Sequence, residues 1–309
     1  MKKVLTIASL CLALPLAADP TVTIKGSDTM VILNQRWAER YMDDRAHKVV
    51  QVTGGGSGTG IAALLAGSTD ICASSRPMKE KERTALEAKT GRAPVEIPVA
   101  KDGIAVYLNE ANPIRELTLD QVARIYRGKV TNWREVGGED QKIILYSREN
   151  NSGTYEFFKE HVLKKKDFTP FAQCLPGTAS VVNAVARDKR GIGYGGAAYA
   201  KGIRFCALKK DDSSPGVLPD GLHILDGSYP VSRNLYYYLR VPAEGPVKDF
   251  IDFVQSPQGQ AIVAKVGYYP VAQEPKRNDS LPSSGPSGHL PPRGEGKRRF
   301  SLSSRERVG

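Results

Sequence analysis

Short runs of apolar residues alternate along the chain with small polar turns and longer amphipathic segments. Val22 and Ile24 sit in an alternating run that ends at a polar turn, and a capped helical pattern then extends to about Tyr41. The same succession recurs to about Val266, which predicts an α/β architecture. The further predicted strands are 49–52, 69–73, 95–99, 104–108, 143–146, 229–231 and 235–239. The further predicted helices are 61–65, 79–89, 118–126, 152–163, 180–187, 247–254 and 258–266.

One turn in the middle of the chain combines groups that bind anions. Arg148 supplies a fixed positive charge, and Ser152, Gly153 and Thr154 place hydroxyls and free backbone N–H groups at a helix start. Such an arrangement binds a tetrahedral oxyanion without a cage of lysines. The glycine-rich loop 54–60 opens an apolar helix in the same way. Two anion-binding helix starts therefore predict a ligand held between two lobes.

Two further polar turns carry hydroxyls in similar settings. Ser27, Asp28 and Thr29 follow the first predicted strand, and Ser75 and Arg76 follow a later one. Any one of these serines could serve only as a helix N-cap. Capping does not explain why four such turns coincide with glycine-rich or arginine-bearing loops, so together the turns favour an oxyanion site.

The residue inventory argues against catalysis. Loop 54–60 lacks the Gly-Lys-Ser/Thr ending of a nucleotide-hydrolase phosphate loop, and Asp70 follows too soon to complete a dinucleotide fingerprint. The sequence has no Gly-x-Ser-x-Gly nucleophile elbow, and its 4 histidines lie away from the serine-rich turns. A serine without a base donates hydrogen bonds and does not attack. A binding site without catalytic residue, metal or cofactor is therefore predicted.

The two ends of the chain differ from its middle. Two lysines precede an apolar stretch that ends at Ala17 and Ala18, the pattern of a secretory signal peptide over 1–18. The tail 274–309 is rich in Ser, Pro, Gly and Arg and is expected to be disordered and basic. The 309 residues leave room between these ends for two lobes. We therefore expect an exported, periplasmic protein without a lipid anchor.

The formal net charge is +11, but much of it lies at the ends. The two signal-peptide lysines and a net +4 in the tail leave +5 for the body. A mildly basic body either attracts anions at long range or is simply a solvated surface. No basic helix with interleaved aromatic residues points to nucleic acid.

Three cysteines follow the predicted signal peptide. Cys72 lies in an apolar run and is expected to be a buried free thiol. Cys174 and Cys206 either form a disulfide or stay free, since an odd count allows at most one pair. The spacings match no zinc site.

Four motifs together resemble the substrate-binding proteins of phosphate ABC transporters. The motifs are 26–30 (Gly-Ser-Asp-Thr-Met), the loop 54–60, 74–79 (Ser-Ser-Arg-Pro-Met-Lys) and 152–158 (Ser-Gly-Thr-Tyr-Glu-Phe-Phe). The resemblance runs in order over about 22–271. It implies a two-lobed periplasmic-binding-protein fold (type II-like) in which each lobe is a mixed sheet flanked by helices and two strands form a hinge. The implied boundaries are 19–101 with 228–273 for lobe I, 102–227 for lobe II, and crossings near 101–103 and 226–228.

The resemblance also implies a function and a set of ligand contacts. The protein would bind inorganic phosphate and deliver it, as a monomer, to a membrane ABC permease. In the family, the matching turns supply N–H and hydroxyl donors and the matching arginine holds the anion. The implied binders are Ser27, Asp28, Thr29, Ser57, Ser75, Arg148, Ser152, Gly153 and Thr154. Arg76 is a further possible contact that could instead pair with Asp28 or Asp70.

One position departs from the family pattern. Well-known members have an aspartate where this chain has Ser75, and that aspartate accepts the proton of bound hydrogen phosphate. We expect Asp28 to take this role. Phosphate near neutral pH keeps a proton that a carboxylate can accept, whereas sulfate has none, so the carboxylate favours phosphate. Asp28 could alternatively act only as the N-cap of the helix that follows it.

Three other functions stay open from the residues alone. The site could take another tetrahedral oxyanion, such as sulfate or molybdate. A secreted phosphatase on a similar scaffold would need a nucleophile with a base or a metal. A surface interaction protein would depend on the basic tail.

Overall fold

Strands alternate with helices along most of the chain, as the apolar pattern predicts. The computed structural model describes residues 21–43, 45, 48–199 and 202–271, so the predicted signal peptide and basic tail lie outside the described residues. The strands are β1 (Thr21–Gly26), β2 (Val49–Thr53), β3 (Ile71–Ser74), β4 (Val95–Leu108), β5 (Glu116–Thr118), β6 (Ile144–Arg148), β7 (Gln173–Leu175), β8 (Gly191–Gly196), β9 (Arg204–Lys209) and β10 (Ser232–Leu239). The helices are α1 (Val31–Asp43), α2 (Ser57–Ala66), α3 (Glu80–Thr90), α4 (Leu119–Tyr126), α5 (Gly153–His161), α6 (Gly177–Arg187), α7 (Gly221–Leu225), α8 (Gly245–Gln255) and α9 (Pro257–Val266). Short 3₁₀ helices lie at Asp28–Met30, Trp133–Val136 and Ala197–Tyr199.

The strands pair in the order β2-β1-β3-β10-β4-β8-β6-β7, and β9 pairs with both β4 and β5. β1 runs parallel to β2 and β3, whereas β10 runs antiparallel to β3 and β4. β8 is antiparallel to β4 and parallel to β6. Both halves of the sheet are therefore mixed, which agrees with the predicted α/β class.

β4 is the strand that joins the two halves of the sheet. Its residues 95–103 pair with β10, and its residues 104–108 pair with β8. The sequence pattern predicts two strands here, 95–99 and 104–108. The division into two strands is wrong, because Lys101 and Asp102 continue the ladder with Asn234 and Arg233 and keep the backbone extended.

The two largest hydrophobic clusters of the described residues lie on either side of this crossing. One core packs α1, α8 and α9 against β1 and β10, and it contains Trp37 and Phe250. The other packs α4 and α5 against β4 and β8, and it contains Tyr126 and Phe158. We call the two halves lobe I and lobe II. The core arrangement agrees with a two-lobed fold, while the lobe boundaries given from the sequence stay predictions.

The cysteines settle an alternative that the sequence leaves open. Cys72 and Cys206 are buried and Cys174 is exposed, and all three are free, so Cys174 and Cys206 form no disulfide. Cys206 faces Val106 across the β4–β9 ladder, whereas Cys174 lies on β7 at the end of the strand order. Burial raises the pKa of the Cys206 thiol to about 12.

Among the helices of the described part of the chain, none is both long enough and apolar enough to cross a bilayer.

Candidate functional site

The N-terminus of α5 lies at the carboxyl end of β6. Ser152 is the N-cap residue, and its Oγ accepts a hydrogen bond from Tyr155 N at 3.3 Å. Gly153 and Thr154 form the buried first turn, where backbone N–H groups have no intrahelical acceptor. Arg148 ends the strand with its side chain only 1% exposed. A cation, two hydroxyls and a helix start therefore meet in the interior, as the sequence predicts.

The N-terminus of α2 faces this turn from lobe I. Gly56 adopts φ +88° just before the helix, and a Cβ at this position would lie 2.7 Å from Asn151 O. Glycine is required there because both the backbone conformation and the close approach exclude a side chain. Gly58 N donates to Asn151 O at 2.9 Å, so the glycine loop is bonded directly to the turn before α5.

The four polar turns predicted as the site converge at this junction. Thr29 Oγ1 lies 2.8 Å from Thr154 Oγ1, and Ser57 Oγ lies 3.3 Å from Ser75 Oγ. A Cβ on Gly153 would come within 2.3 Å of Ser57 Oγ. The nine residues implied by the resemblance all lie in these turns, and apart from the partly exposed Asp28 they are buried: Ser27, Asp28, Thr29, Ser57, Ser75, Arg148, Ser152, Gly153 and Thr154. Whether they contact a ligand stays a prediction.

Asp28 and Arg148 form the ion pair at the centre of the junction. Asp28 Oδ2 accepts a hydrogen bond from Arg148 Nη2 at 2.7 Å, and Asp28 Oδ1 accepts one from Gly55 N at 2.7 Å. Arg148 Nη1 donates to Thr178 Oγ1 at 2.8 Å. Burial lowers the pKa of Arg148, and the charge of Asp28 opposes that shift.

This geometry bears on the two roles considered for Asp28. The N-cap position of the following 3₁₀ helix belongs to Ser27, and the Asp28 carboxylate bonds Gly55 and Arg148. Its side chain is 20% exposed. The carboxylate is therefore part of the junction between the turns and does not cap the helix that follows it.

Arg76 has a structural partner of its own. Its Nη1 and Nη2 each donate to the Glu82 carboxylate at 2.8 Å, and Nη1 also donates to Pro77 O at 2.9 Å. Burial raises the pKa of Glu82, but the hydrogen bonds from Arg76 and from the backbone of Lys79 outweigh burial and lower it. Neither of the partners considered from the sequence, Asp28 or Asp70, holds this guanidinium.

Two charged residues that the sequence pattern did not flag adjoin the site. Asp102 on β4 is fully buried, and Arg233 on β10 is 6% exposed. Arg233 Nε and Nη2 donate to Asp102 Oδ2 at 3.0 and 2.7 Å. Arg233 Nη1 donates to Ser75 O at 2.9 Å, and Nη2 donates to Thr154 Oγ1 at 3.0 Å. The sequence feature that could have indicated this pair is a charged residue within each of two largely apolar strands: an acid on β4 and a base on β10.

Further contacts between the lobes surround the site. Tyr199 donates its hydroxyl proton to Asp28 O at 2.8 Å, and Asn151 Nδ2 donates to Gly55 O at 3.0 Å. Lys79 Nζ pairs with a carboxylate oxygen of Glu156 on α5 at 2.6 Å. The polar turns are therefore held together across the junction of the two lobes by side chains from both.

The chemistry available at this junction is that of hydrogen-bond donation to an anion. The described histidines are engaged elsewhere: His161 bonds Phe157 O and His223 bonds Asp220. Within the described residues, His, Cys, Asp and Glu side chains form no group of three that could hold a metal ion. Two lobes joined through the extended strand β4, with helix starts meeting between them, define the class of two-lobed solute-binding proteins.

Comparison with known proteins agrees with this class. The model of the PBP superfamily domain matches residues 15–258. The phosphate-binding protein PstS of Pseudomonas aeruginosa is 36% identical over 263 residues, which cover 80% of this chain and 81% of that protein. PstS of Bacillus subtilis is 33% identical over 256 residues, which cover 82% of each chain.

Solved structures show the same likeness. A protein from Clostridium perfringens, described as a phosphate ABC transporter substrate-binding protein with bound phosphate, aligns with a TM-score of 0.74 and 31% identity over 82% of this chain and 100% of that chain. An ABC-type phosphate transport receptor from Vibrio cholerae aligns with a TM-score of 0.66 and 27% identity over 82% and 100%. The chain belongs to the PBP superfamily and, within it, to the family of phosphate ABC transporter substrate-binding proteins.

Proposed function

We propose that the protein binds inorganic phosphate between its two lobes and delivers it to a membrane ABC permease. The observation that carries the proposal is the meeting of Arg148 and the first turn of α5 with Ser57 and Ser75 of lobe I, all of them buried. The relatives named above are binding proteins for the same ligand. The activity is binding and release, with no covalent step.

Phosphate oxygens would be held by donors that the fold aims at one point. The N–H groups at the starts of α2 and α5, together with hydroxyls from both lobes, form hydrogen bonds that are strengthened by the charge of the ligand. Arg148 compensates part of that charge from the lobe II side. Because donors come from both lobes, a bound anion favours the closed arrangement over an open one.

Asp28 would accept the proton that phosphate carries near neutral pH. Its Oδ2 lies 2.7 Å from Arg148 Nη2, so an anion held by Arg148 lies within reach of the carboxylate. Sulfate has no proton to donate and would face the carboxylate with like charge. The arrangement therefore favours phosphate over sulfate.

The setting of the protein follows from the same proposal. We place it in the periplasm, where it acts as a monomer and carries its ligand to the permease without a cofactor and without contact to nucleic acid. The predicted signal peptide and the location implied by the named family support this setting.

Calorimetry tests the proposal directly. The purified chain is unfolded and refolded to remove bound anion and is then titrated with phosphate, sulfate and molybdate. We expect one-to-one binding of phosphate and no measurable heat with sulfate. Arg148→Met should weaken phosphate binding at least about tenfold, because a charge-assisted hydrogen bond is lost. Arg134→Met removes an exposed arginine that pairs with Asp140, and it should change nothing.

Other results would lead to other functions. Equal affinities for phosphate and sulfate would make the protein a general oxyanion binder. Binding of neither anion would refute the site. Turnover of a chromogenic phosphate ester in metal-replete buffer would replace binding with hydrolysis as the function.

A further inference from the structure

A buried ion pair lies directly behind the candidate site. Asp102 and Arg233 occupy facing positions of β4 and β10, at the end of the ladder where β4 passes from one lobe to the other. The Asp102 carboxylate is fully buried and its Oδ2 lies 2.7 Å from Arg233 Nη2. Burying two charges costs free energy that their attraction does not reliably offset. Stability alone therefore does not explain why these two charges are buried here.

The guanidinium of Arg233 connects both walls of the site to this pair. Nη1 donates to Ser75 O on the lobe I side, and Nη2 donates to Thr154 Oγ1 in the first turn of α5. Nε and Nη2 both donate to Asp102 Oδ2, and these two bonds fix the plane of the guanidinium. Thr154 is thus bonded to a cation on β10, at the point where β10 pairs with the crossing strand β4.

This bond restricts what the Thr154 hydroxyl can do. A hydroxyl has one proton and two lone pairs. Thr154 Oγ1 accepts from the guanidinium with one lone pair. Thr29 Oγ1 lies 2.8 Å away and can donate to the other lone pair, and the Thr154 proton is then left for an oxygen of the ligand. Two other hydroxyls of the site are prepared in the same way: Ser57 Oγ accepts from Ser75 N at 3.0 Å and Ser152 Oγ accepts from Tyr155 N at 3.3 Å.

We propose that Arg233, held by Asp102, is a positioning residue that fixes the Thr154 hydroxyl as a donor to the ligand. The inference rests on the proposed phosphate function and adds a determinant of specificity to it. With the hydroxyls of Ser57, Ser152 and Thr154 set as donors, these three side chains offer protons to the ionised oxygens of phosphate. The single proton of hydrogen phosphate then has its acceptor at Asp28.

A double-mutant cycle with Thr154 tests this role. Asp102→Asn/Arg233→Gln removes both charges together, so that neither is left buried alone. We expect this double change to weaken phosphate binding about tenfold, the effect of losing a charge-assisted hydrogen bond. In a Thr154→Val background the same change should weaken binding less than about twofold. In a Thr154→Ser background, which keeps a hydroxyl, the tenfold effect should return.

The design separates positioning from general stability. Loss of fold stability alone would weaken binding equally in the valine and serine backgrounds, and that additive result would overturn the inference. If the Asp102→Asn/Arg233→Gln protein does not fold, Arg233→Lys replaces it in the double-mutant cycle. Lysine keeps a positive charge beside Asp102 but cannot bond Asp102 and Thr154 with the planar geometry of a guanidinium. Arg204→Gln removes a guanidinium that bonds Asn112 O and Ile114 O, and it should leave phosphate affinity unchanged. A wild-type chain that binds no phosphate would refute the proposed function itself, whereas additive effects in a chain that binds phosphate refute only the role of Arg233.

Discussion

Asp28→Asn is the substitution that separates phosphate from sulfate most directly. Gly55 N donates to Asp28 Oδ1 at 2.7 Å, so an asparagine would keep its carbonyl oxygen at that position. Its amide nitrogen would then replace Oδ2, beside Arg148 Nη2. An acceptor for the phosphate proton becomes a donor, and Arg148 loses the anionic partner that it has in this structure.

The size of the effect follows from these contacts. A hydrogen bond to a charged group is worth about 1.5–3 kcal/mol, so phosphate should lose about tenfold or more in affinity. Sulfate should gain, because a like charge at 4 Å costs about 4 kcal/mol at an effective dielectric constant of about 20, and the 20% exposure of Asp28 reduces that figure. The ratio of the sulfate Kd to the phosphate Kd should therefore fall at least about a hundredfold.

The assay is calorimetry with both anions on refolded wild type, Asp28→Asn and a matched control. Asp70→Asn is the control, since Asp70 bonds Thr23 N and Thr23 Oγ1 away from the site. An unchanged selectivity ratio in Asp28→Asn would refute the assignment of Asp28 as proton acceptor. A parallel loss for both anions would mean that the carboxylate only organises the glycine loop.

Three further predictions follow from single contacts. Gly153→Ala should weaken phosphate binding roughly tenfold or more in calorimetry, because the new methyl group would overlap two serine hydroxyls and oppose closure; unchanged affinity would contradict the packing. Lys79→Met should raise the phosphate dissociation rate about two- to fivefold in stopped flow, through loss of the pair with Glu156, and the difference should vanish at high salt. A thiol reagent should label exposed Cys174 in the folded protein and Cys206 only after unfolding, since burial raises the pKa of the latter to about 12.

The sequence predicted the site's turns well because each turn carries a local signal. A strand, a small polar turn and an amphipathic helix form one contiguous pattern, and glycines mark the positions where another chain segment comes close. Gly56 and Gly153 show this, since a side chain at either position would clash with an atom from the other lobe. Arg148 could also be recognised from the local sequence, because it is a charged residue at the end of a short apolar strand.

The rest of the site depends on contacts that are distant in sequence. Asp102 and Arg233 are separated by 131 positions, and only the antiparallel register of β4 and β10 brings them together. The apolar pattern ends one predicted strand at residue 99 and starts the next at residue 104, so it assigns no strand partner to Asp102. The partner of Arg76 is close in sequence instead: Glu82 is only six residues away, on the helix that follows, whereas the expected partners were Asp28 and Asp70.

Both arginines of the site have a carboxylate partner. Arg148 pairs with Asp28 and Arg233 pairs with Asp102, so these four groups together carry no net charge. An anion that enters such a site gains little from excess fixed charge, and its dehydration must be offset by hydrogen bonds from hydroxyls and helix N–H groups. Selection then depends on the number and direction of donors and acceptors, which is where phosphate and sulfate differ. The phosphate-to-sulfate ratio should accordingly depend little on ionic strength, whereas the rate of anion arrival, steered by the basic body, should fall as salt is added.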